Sequence, residues 1–145
     1  MELILQHITS KNYENVADLE LLGEQKNFLA SNTWSLVEAA YNDGYEARAI
    51  YQKDKLVGFI MWVHETEKRI SIWRFMVDHK FQNQGIGRSA LNLALNEIKL
   101  VNGIEEIEIC YNPDNSLAKR LFFSCGFKEV GMDKDNEDML AVITI

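Results

Sequence analysis

Ile72-Trp73-Arg74-Phe75-Met76-Val77-Asp78-His79-Lys80-Phe81-Gln82-Asn83-Gln84-Gly85-Ile86-Gly87-Arg88 is the stretch that decides the fold. Its first part completes an apolar strand over 70–77, and its end opens a helix over 87–101. Gln82-x-x-Gly85-x-Gly87 fills the connection. The first N–H groups of a helix lack internal acceptors and carry the positive end of the helix dipole. They hold phosphate oxygens where the backbone can come close. Gly85 and Gly87 have no Cβ to block that approach. Arg88 adds a full positive charge, and Gln82 can orient the loop. The stretch therefore predicts a pyrophosphate site.

Two other phosphate motifs share parts of this pattern. The dinucleotide fingerprint allows Ala90 at its third position, but it follows the first strand of a parallel array. Here an antiparallel meander precedes the loop. No acidic residue ends a second strand about 20 residues on, as that fingerprint requires. A P-loop needs Gly-Lys-Ser/Thr after the glycines, and that is absent.

Outward from the loop, the helix over 87–101 carries an apolar stripe of Ala90, Leu91, Ala94, Leu95, Ile98 and Val101, stopped by Asn102-Gly103. A strand over 104–111 follows, with Ile107, Ile109 and Tyr111 on one face. Asn112-Pro113-Asp114-Asn115 is a turn, and a helix over 116–125 ends at Gly126. Segments 128–132 and 139–145 form a last strand pair. Before the loop, 48–52 and 56–63 read as a hairpin around Lys53-Asp54-Lys55, and 70–77 joins them after a turn at 65–69. Further upstream, 3–8 is a strand. Ser10 or Asn12 caps a helix bearing Val16, Leu19 and Leu22, and 27–31 is a break. Ser35-Leu36-Val37-Glu38 has capping-box spacing and opens a helix that ends near Asn42-Asp43-Gly44. The pattern predicts one domain over 1–145 and an α/β (α+β) fold. Its mixed, mostly antiparallel sheet has helices on both faces.

Composition narrows the function. At 145 residues with 47% hydrophobic and 26% charged side chains, the chain can bury a core without metal or disulfides. Cys110 and Cys125 form no CxxC pair and no metal-ligand spacing with His7, His64 or His79, so they read as reduced, partly buried thiols of a cytoplasmic protein. The N-terminal stretch has no signal-peptide pattern, and no apolar run reaches membrane-spanning length. The net charge of -7 disfavours nucleic acid. Residues 51–100, which hold the loop, are the one block with more bases than acids, eight against five. Residues 1–50 and 101–145 are each net acidic. An anionic cofactor in the middle and a cationic substrate near the acidic segments suit this distribution.

The stretch 72–88 resembles motif A of the GNAT N-acetyltransferases, whose core is Gln/Arg-x-x-Gly-x-Gly/Ala. Asn115-Ser116-Leu117-Ala118-Lys119-Arg120-Leu121-Phe122-Phe123-Ser124-Cys125-Gly126-Phe127 resembles their motif B. Order and separation also agree, and the resemblance covers essentially the whole chain. Glu24-Gln25-Lys26-Asn27-Phe28-Leu29-Ala30-Ser31-Asn32 and the Trp73-Arg74-Phe75-Met76 run are most similar to the bacterial spermine/spermidine acetyltransferase group.

The resemblance implies a splayed strand pair that takes the pantetheine arm of acetyl-CoA. Phe75, Met76 and Val77 would pair with that arm through their backbones, and the Val77 N–H would serve as oxyanion donor. Gln82, Asn83, Gln84, Gly85, Ile86, Gly87 and Arg88 would hold the pyrophosphate. Asn115, Lys119 and Phe122 complete the implied cofactor set. Glu24, Trp34 and Trp73 are the implied substrate contacts, with Trp62 a further candidate, and a polyamine is the first acceptor to consider. A homodimer is common in the family. The family's tyrosine acid corresponds here to Phe122, which has no proton to give. Tyr111, Ser124, water or a substrate group are the remaining donors. A silent acetyl-CoA-binding module and a peptide N-terminal or antibiotic acetyltransferase are the alternatives.

Overall fold

The computed structural model of the protein describes residues 2–20 and 31–145. One seven-stranded sheet organises it, in the order β1-β2-β3-β4-β5-β7-β6. The strands are β1 Leu3–His7, β2 Tyr45–Gln52, β3 Lys55–His64, β4 Arg69–Val77, β5 Glu106–Tyr111, β6 Lys128–Met132 and β7 Met139–Thr144. All neighbours pair antiparallel except β4 and β5. Helices α1 Tyr13–Ala17 and α2 Asn32–Tyr41 cover one face, and α3 Ile86–Lys99 and α4 Ser116–Ser124 cover the other. This is the mixed, mostly antiparallel sheet with helices on both faces that the sequence predicts.

The two cores follow from side-chain periodicity. On α3, Ala90, Leu91, Ala94, Leu95 and Ile98 are all at most 2% exposed. They pack on Ile60, Ile70, Ile72, Ile107 and Ile109 of the central strands. On the opposite face a smaller cluster joins Val16, Ala49, Phe59, Met61 and Met76, with Leu36 and Ala39 of α2 against it. Gly58 lies where β3 and β4 approach most tightly. A Cβ there would sit 2.5 Å from the Met76 carbonyl oxygen, so only glycine fits.

Two features of β4 position the site. Its parallel register with β5 runs from Arg69↔Glu106 to Ile72↔Ile109 and stops, although the strands continue to Val77 and Tyr111. Trp73 is also passed over in the β3 register, where Met61 faces Arg74 and Trp62 faces Ile72. One extra residue inverts the side-chain alternation. Ile70 and Ile72 pack on the α3 side, and beyond the bulge Phe75 and Val77 take that side while Met76 joins the α1–α2 cluster.

Two local readings need correction. Helix α2 begins a turn earlier than the capping-box spacing implies. Its N-cap is Ser31, whose hydroxyl accepts the Trp34 N–H at 3.1 Å, and Ser35 is a buried residue inside the helix. Asn12 occupies the N-cap position of α1 without capping it by its side chain. Its Oδ1 accepts the Thr9 N–H at 2.8 Å and its Nδ2 donates to the His7 carbonyl at 3.0 Å, tying down the turn after β1. Cys110 is exposed to the cleft by its residue surface, while neighbouring atoms still crowd its thiol. Leu22 and the break at 27–30 lie outside the described residues. Among the described residues no helix is long and apolar enough to cross a membrane, and no cluster of His, Cys, Asp and Glu has a metal-binding arrangement.

Candidate active site

Past Ile72 and Ile109 the parallel strands part around a cleft of about 500 Å³. Its walls are 72–77 of β4, 109–111 of β5, the loop before α3 and the first turns of α4. The edge of β4 that faces it is fixed by hydrogen bonding. The Asp78 N–H donates back to the Val57 carbonyl at 2.8 Å, on the β3 side. Alternation along a strand then turns the N–H and C=O of Val77 and Phe75 to the cleft side. Gln82 Nε2 donates to the Val77 carbonyl at 2.9 Å, so this side chain braces the loop against the strand.

At the mouth of the cleft the loop has the form an anion needs. Asn83 and Gly85 are left-handed, with φ of 63° and 78°, and Gly85 is the N-cap of α3 without a side-chain cap. Turns of this kind gather successive N–H groups toward an anion, and the first-turn N–H groups of α3 have no intrahelical acceptor. A Cβ on Gly87 would meet Leu121, Val77 and Phe75 at 3.6–3.9 Å, which is ordinary contact. The packing thus tolerates a Cβ at 87, and glycine leaves bare backbone where the cleft passes. These observations fit a pyrophosphate group. Asp78, 6% exposed, anchors the loop from behind. Its Oδ1 accepts the Lys80 N–H and its Oδ2 the Glu20 N–H, both at 3.0 Å.

The structure brings most of the sequence-derived residues together. Trp73, Phe75, Met76, Val77, Gln82, Asn83, Gly85, Gly87, Arg88, Asn115 and Phe122 line the cleft. Gln84 is exposed beside it, and the Ile86 side chain is in the core, leaving its backbone for the loop. Asn115 caps α4, its Oδ1 accepting the Ala118 N–H at 3.1 Å. Lys119 is outside the lining and pairs with Glu129 at 3.3 Å. Trp34 is 61% exposed on α2, away from the cleft. Trp62 is buried beneath the Arg48 guanidinium. Glu24 lies outside the described residues.

Phe122 is buried edge-on against Tyr111 and Phe127, with ring centroids 5.5 and 6.1 Å away. Tyr111 also lines the cleft, but burial and a hydrogen bond to Glu129 push its hydroxyl up to about 12. That makes it a weak acid whose proton already has an acceptor. The Ser124 hydroxyl donates to the Leu121 carbonyl at 2.7 Å and faces away from the lining.

The far end of the cleft carries residues that motif comparison passes over. Cys110 and Asp138 line it. The thiol is held up at about 11, first by desolvation and then by the charges of Asp138, Glu108, Asp133 and Glu65. Burial and then Asp133 raise the pKa of Asp138. Burial raises that of Glu108, Arg69 opposes the shift, and Glu65 and Glu106 add to it. Glu65 also accepts the Trp73 indole N–H at 2.8 Å. Acids from three separate segments therefore gather around Cys110: the β3–β4 turn, β5, and the β6–β7 connection, with Asp138 the one that lines the cleft. The signal for it is the β5 alternation, which places Glu106, Glu108 and Cys110 opposite Ile107, Ile109 and Tyr111.

The comparisons with known proteins agree with this geometry. The profile of the Acetyltransferase (GNAT) family matches residues 10–127. The spermine/spermidine N(1)-acetyltransferase of Bacillus subtilis is 24% identical, with 97% of each chain aligned. The structure of spermidine N-acetyltransferase from Vibrio cholerae, in complex with CoA and spermine, superimposes with a TM-score of 0.80 at 14% identity, over 98% of this chain and 95% of that one. The ribosomal-protein-S18-alanine N-acetyltransferase of Escherichia coli gives 0.75 at 17% identity, over 99% and 94%. The last two likenesses concern the fold. With the split β4–β5 pair, the glycine loop and a profile spanning most of its length, the chain belongs to the acetyltransferase (GNAT) family.

Proposed function

We propose that the protein transfers the acetyl group of acetyl-CoA to a primary amine of a polyamine such as spermine or spermidine. The observation that carries this reading is the polarity of the cleft. A loop suited to phosphate, with Arg88, lies at one end, and Asp138 lines the other beside Cys110, on which Glu65, Glu108 and Asp133 also act. Burial and then Asp133 raise the pKa of Asp138, which has no cationic partner among the described residues, whereas Glu108 pairs with Arg69 at 3.2 Å. A polycation supplies the missing charge, and its remaining ammonium groups hold it by Coulombic attraction. The relative from Bacillus subtilis named for spermine and spermidine supports the same class.

In this reading the pyrophosphate rests on 82–88, and the pantetheine arm pairs with the open edge of Phe75 and Val77. The Val77 N–H donates toward the acetyl carbonyl. The attacking amine must lose its proton first, because an ammonium has no lone pair. Trp73 offers a ring face to a nearby cation, held in place by Glu65 and by the edge of Tyr45, whose ring centroid is 5.4 Å away. The test is CoA release with spermine, spermidine, peptide N-termini and aminoglycosides as acceptors. The polyamines are expected to give the highest kcat/KM. Release with peptide N-termini or aminoglycosides but not with polyamines would refute the substrate class.

A further inference from the structure

Two tryptophans meet at the β3–β4 bulge, and only one of them has a cation. Trp62 is buried, and the Arg48 guanidinium carbon lies 5.0 Å from its ring centroid. Arg48 is held in turn by Glu46 at 2.8 Å and Glu97 at 2.9 Å. Ring, cation and carboxylates satisfy one another there. Trp73 repeats two of these three parts. Its indole N–H donates to Glu65 Oε1 at 2.8 Å, and its ring lines the cleft, 43% exposed. Among the described residues no cation lies over this ring and none pairs with Glu65. The part left out is the cation, at a place a ligand can reach.

The backbone sets this up. Trp73 is passed over in the β3 register and lies one residue beyond Ile72↔Ile109, the last pair of β4 with β5. Its side chain belongs to neither hydrophobic core. Two contacts fix it instead: Glu65 at the N–H, and Tyr45, whose ring centroid is 5.4 Å away with the planes 73° apart. A ring already held loses little freedom when a ligand arrives. Donation to a carboxylate also polarises the indole, which strengthens the pull of its face on a cation. The open edge of Phe75 and Val77, on which the proposed reading lays the acyl group, is two to four residues away, about 7–13 Å of strand. An ammonium on Trp73 is therefore a different nitrogen from the one that reacts, carried on the same chain.

We propose that Trp73 is a specificity-determining residue that holds the second ammonium of a diamine or polyamine acceptor, with Glu65 the positioning residue that fixes its ring and adds charge. This rests on reading the cleft as the acetyl-CoA site and a primary amine as the acceptor. The acceptor is then recognised by two charges and the distance between them. A monoamine of the same length reaches the acyl group and leaves Trp73 and Glu65 without their cation. Glu65 also borders an open groove with Glu67, Asn102 and Gly103, so salt reaches this subsite.

The experiment compares kcat/KM for α,ω-diaminoalkanes of graded length with that for monoamines of the same carbon number. It uses wild type, Trp73→Leu, Trp73→Phe and Glu65→Gln, with acetyl-CoA as donor. In wild type the preference for the diamine should rise with chain length and level off at roughly 5- to 30-fold, the range of a cation held on an aromatic face. Trp73→Leu should bring that ratio close to unity while leaving the monoamine rate within about twofold, because only the contact to the second charge is lost. Trp73→Phe should keep part of the preference, since a smaller ring still offers a face. Glu65→Gln retains an acceptor for the indole and loses the charge, so its ratio should fall several-fold at low salt and less as salt rises. A wild type without diamine preference, or a Trp73→Leu variant that loses diamine and monoamine rates equally or keeps the wild-type ratio, would overturn the proposal alone. No acetylation of any amine by wild type would overturn the reading on which it rests.

Discussion

The two ends of the cleft are built in different ways. In the proposed reading the phosphate end is one continuous segment, from Val77 through Gly85 to the first turn of α3, and it would work through backbone N–H groups and a left-handed glycine. The acidic end is assembled from the β3–β4 turn, β5 and the β6–β7 connection, and it works through side-chain charge. A backbone site binds by shape and direction, so it changes sharply when a Cβ is added. A charged rim acts at longer range, is screened by salt, and changes gradually when one acid is removed.

The sharpest way to break this contrast is a Cβ in the loop. Gly87→Ala should leave the melting temperature within a few degrees, because a Cβ at 87 makes only ordinary contacts, while weakening acetyl-CoA binding by roughly 10- to 100-fold, the ~1–3 kcal/mol of lost polar contact. Calorimetric titration of acetyl-CoA measures it, and unchanged affinity would separate the loop from the phosphate. At Gly85 the effect should move to stability. A side chain there must adopt φ of 78°, a strain of roughly 1–2 kcal/mol visible in denaturant unfolding.

Next in size is the rim. Asp138→Asn should raise the KM for spermine several-fold at low salt and progressively less as salt rises, with little change in the KM for acetyl-CoA. A salt-independent effect would argue for a shape role. The pH dependence has a definite sign. Asp138 and Glu108 have raised pKa values in the folded state, so they bind protons more readily folded than unfolded. Their contribution to stability is full below the ordinary carboxylate range and is lost as pH rises through the raised values. At neutral pH Asp138→Asn should therefore melt at or slightly above wild type, and added spermine should stabilise wild type more than the variant.

The smallest expected effect concerns Phe122. Because Phe122 packs edge-on against Tyr111 and Phe127, Phe122→Tyr should leave kcat nearly unchanged. Burying a hydroxyl beside Tyr111 and Phe127 should lower stability by roughly 1–3 kcal/mol unless it finds a partner. A large gain in kcat would show that the missing acid limits the rate.

This asymmetry also explains what was legible in the sequence. The strand–loop–helix unit is local, so periodicity and two glycines sufficed for β4, the loop and α3. The register of β3 with β4 is not local. Nothing in the sequence announces that Trp73 is the residue passed over, and without that bulge Arg74 and Phe75 would exchange faces. The acidic end is harder still, because Asp138 meets Cys110 only after β7 pairs with β5. From the sequence, 133–138 is only the connection between the last two strands. Ser35 shows the opposite error: a motif with the right spacing lay inside the helix because Ser31, one turn earlier, supplied the cap.

The most direct test of the account is the initial rate of CoA release from acetyl-CoA with spermine as the varied acceptor, followed in wild type at neutral pH. The account predicts a saturable, spermine-dependent rate well above the rate without acceptor. A rate indistinguishable from that background at every spermine concentration would contradict it.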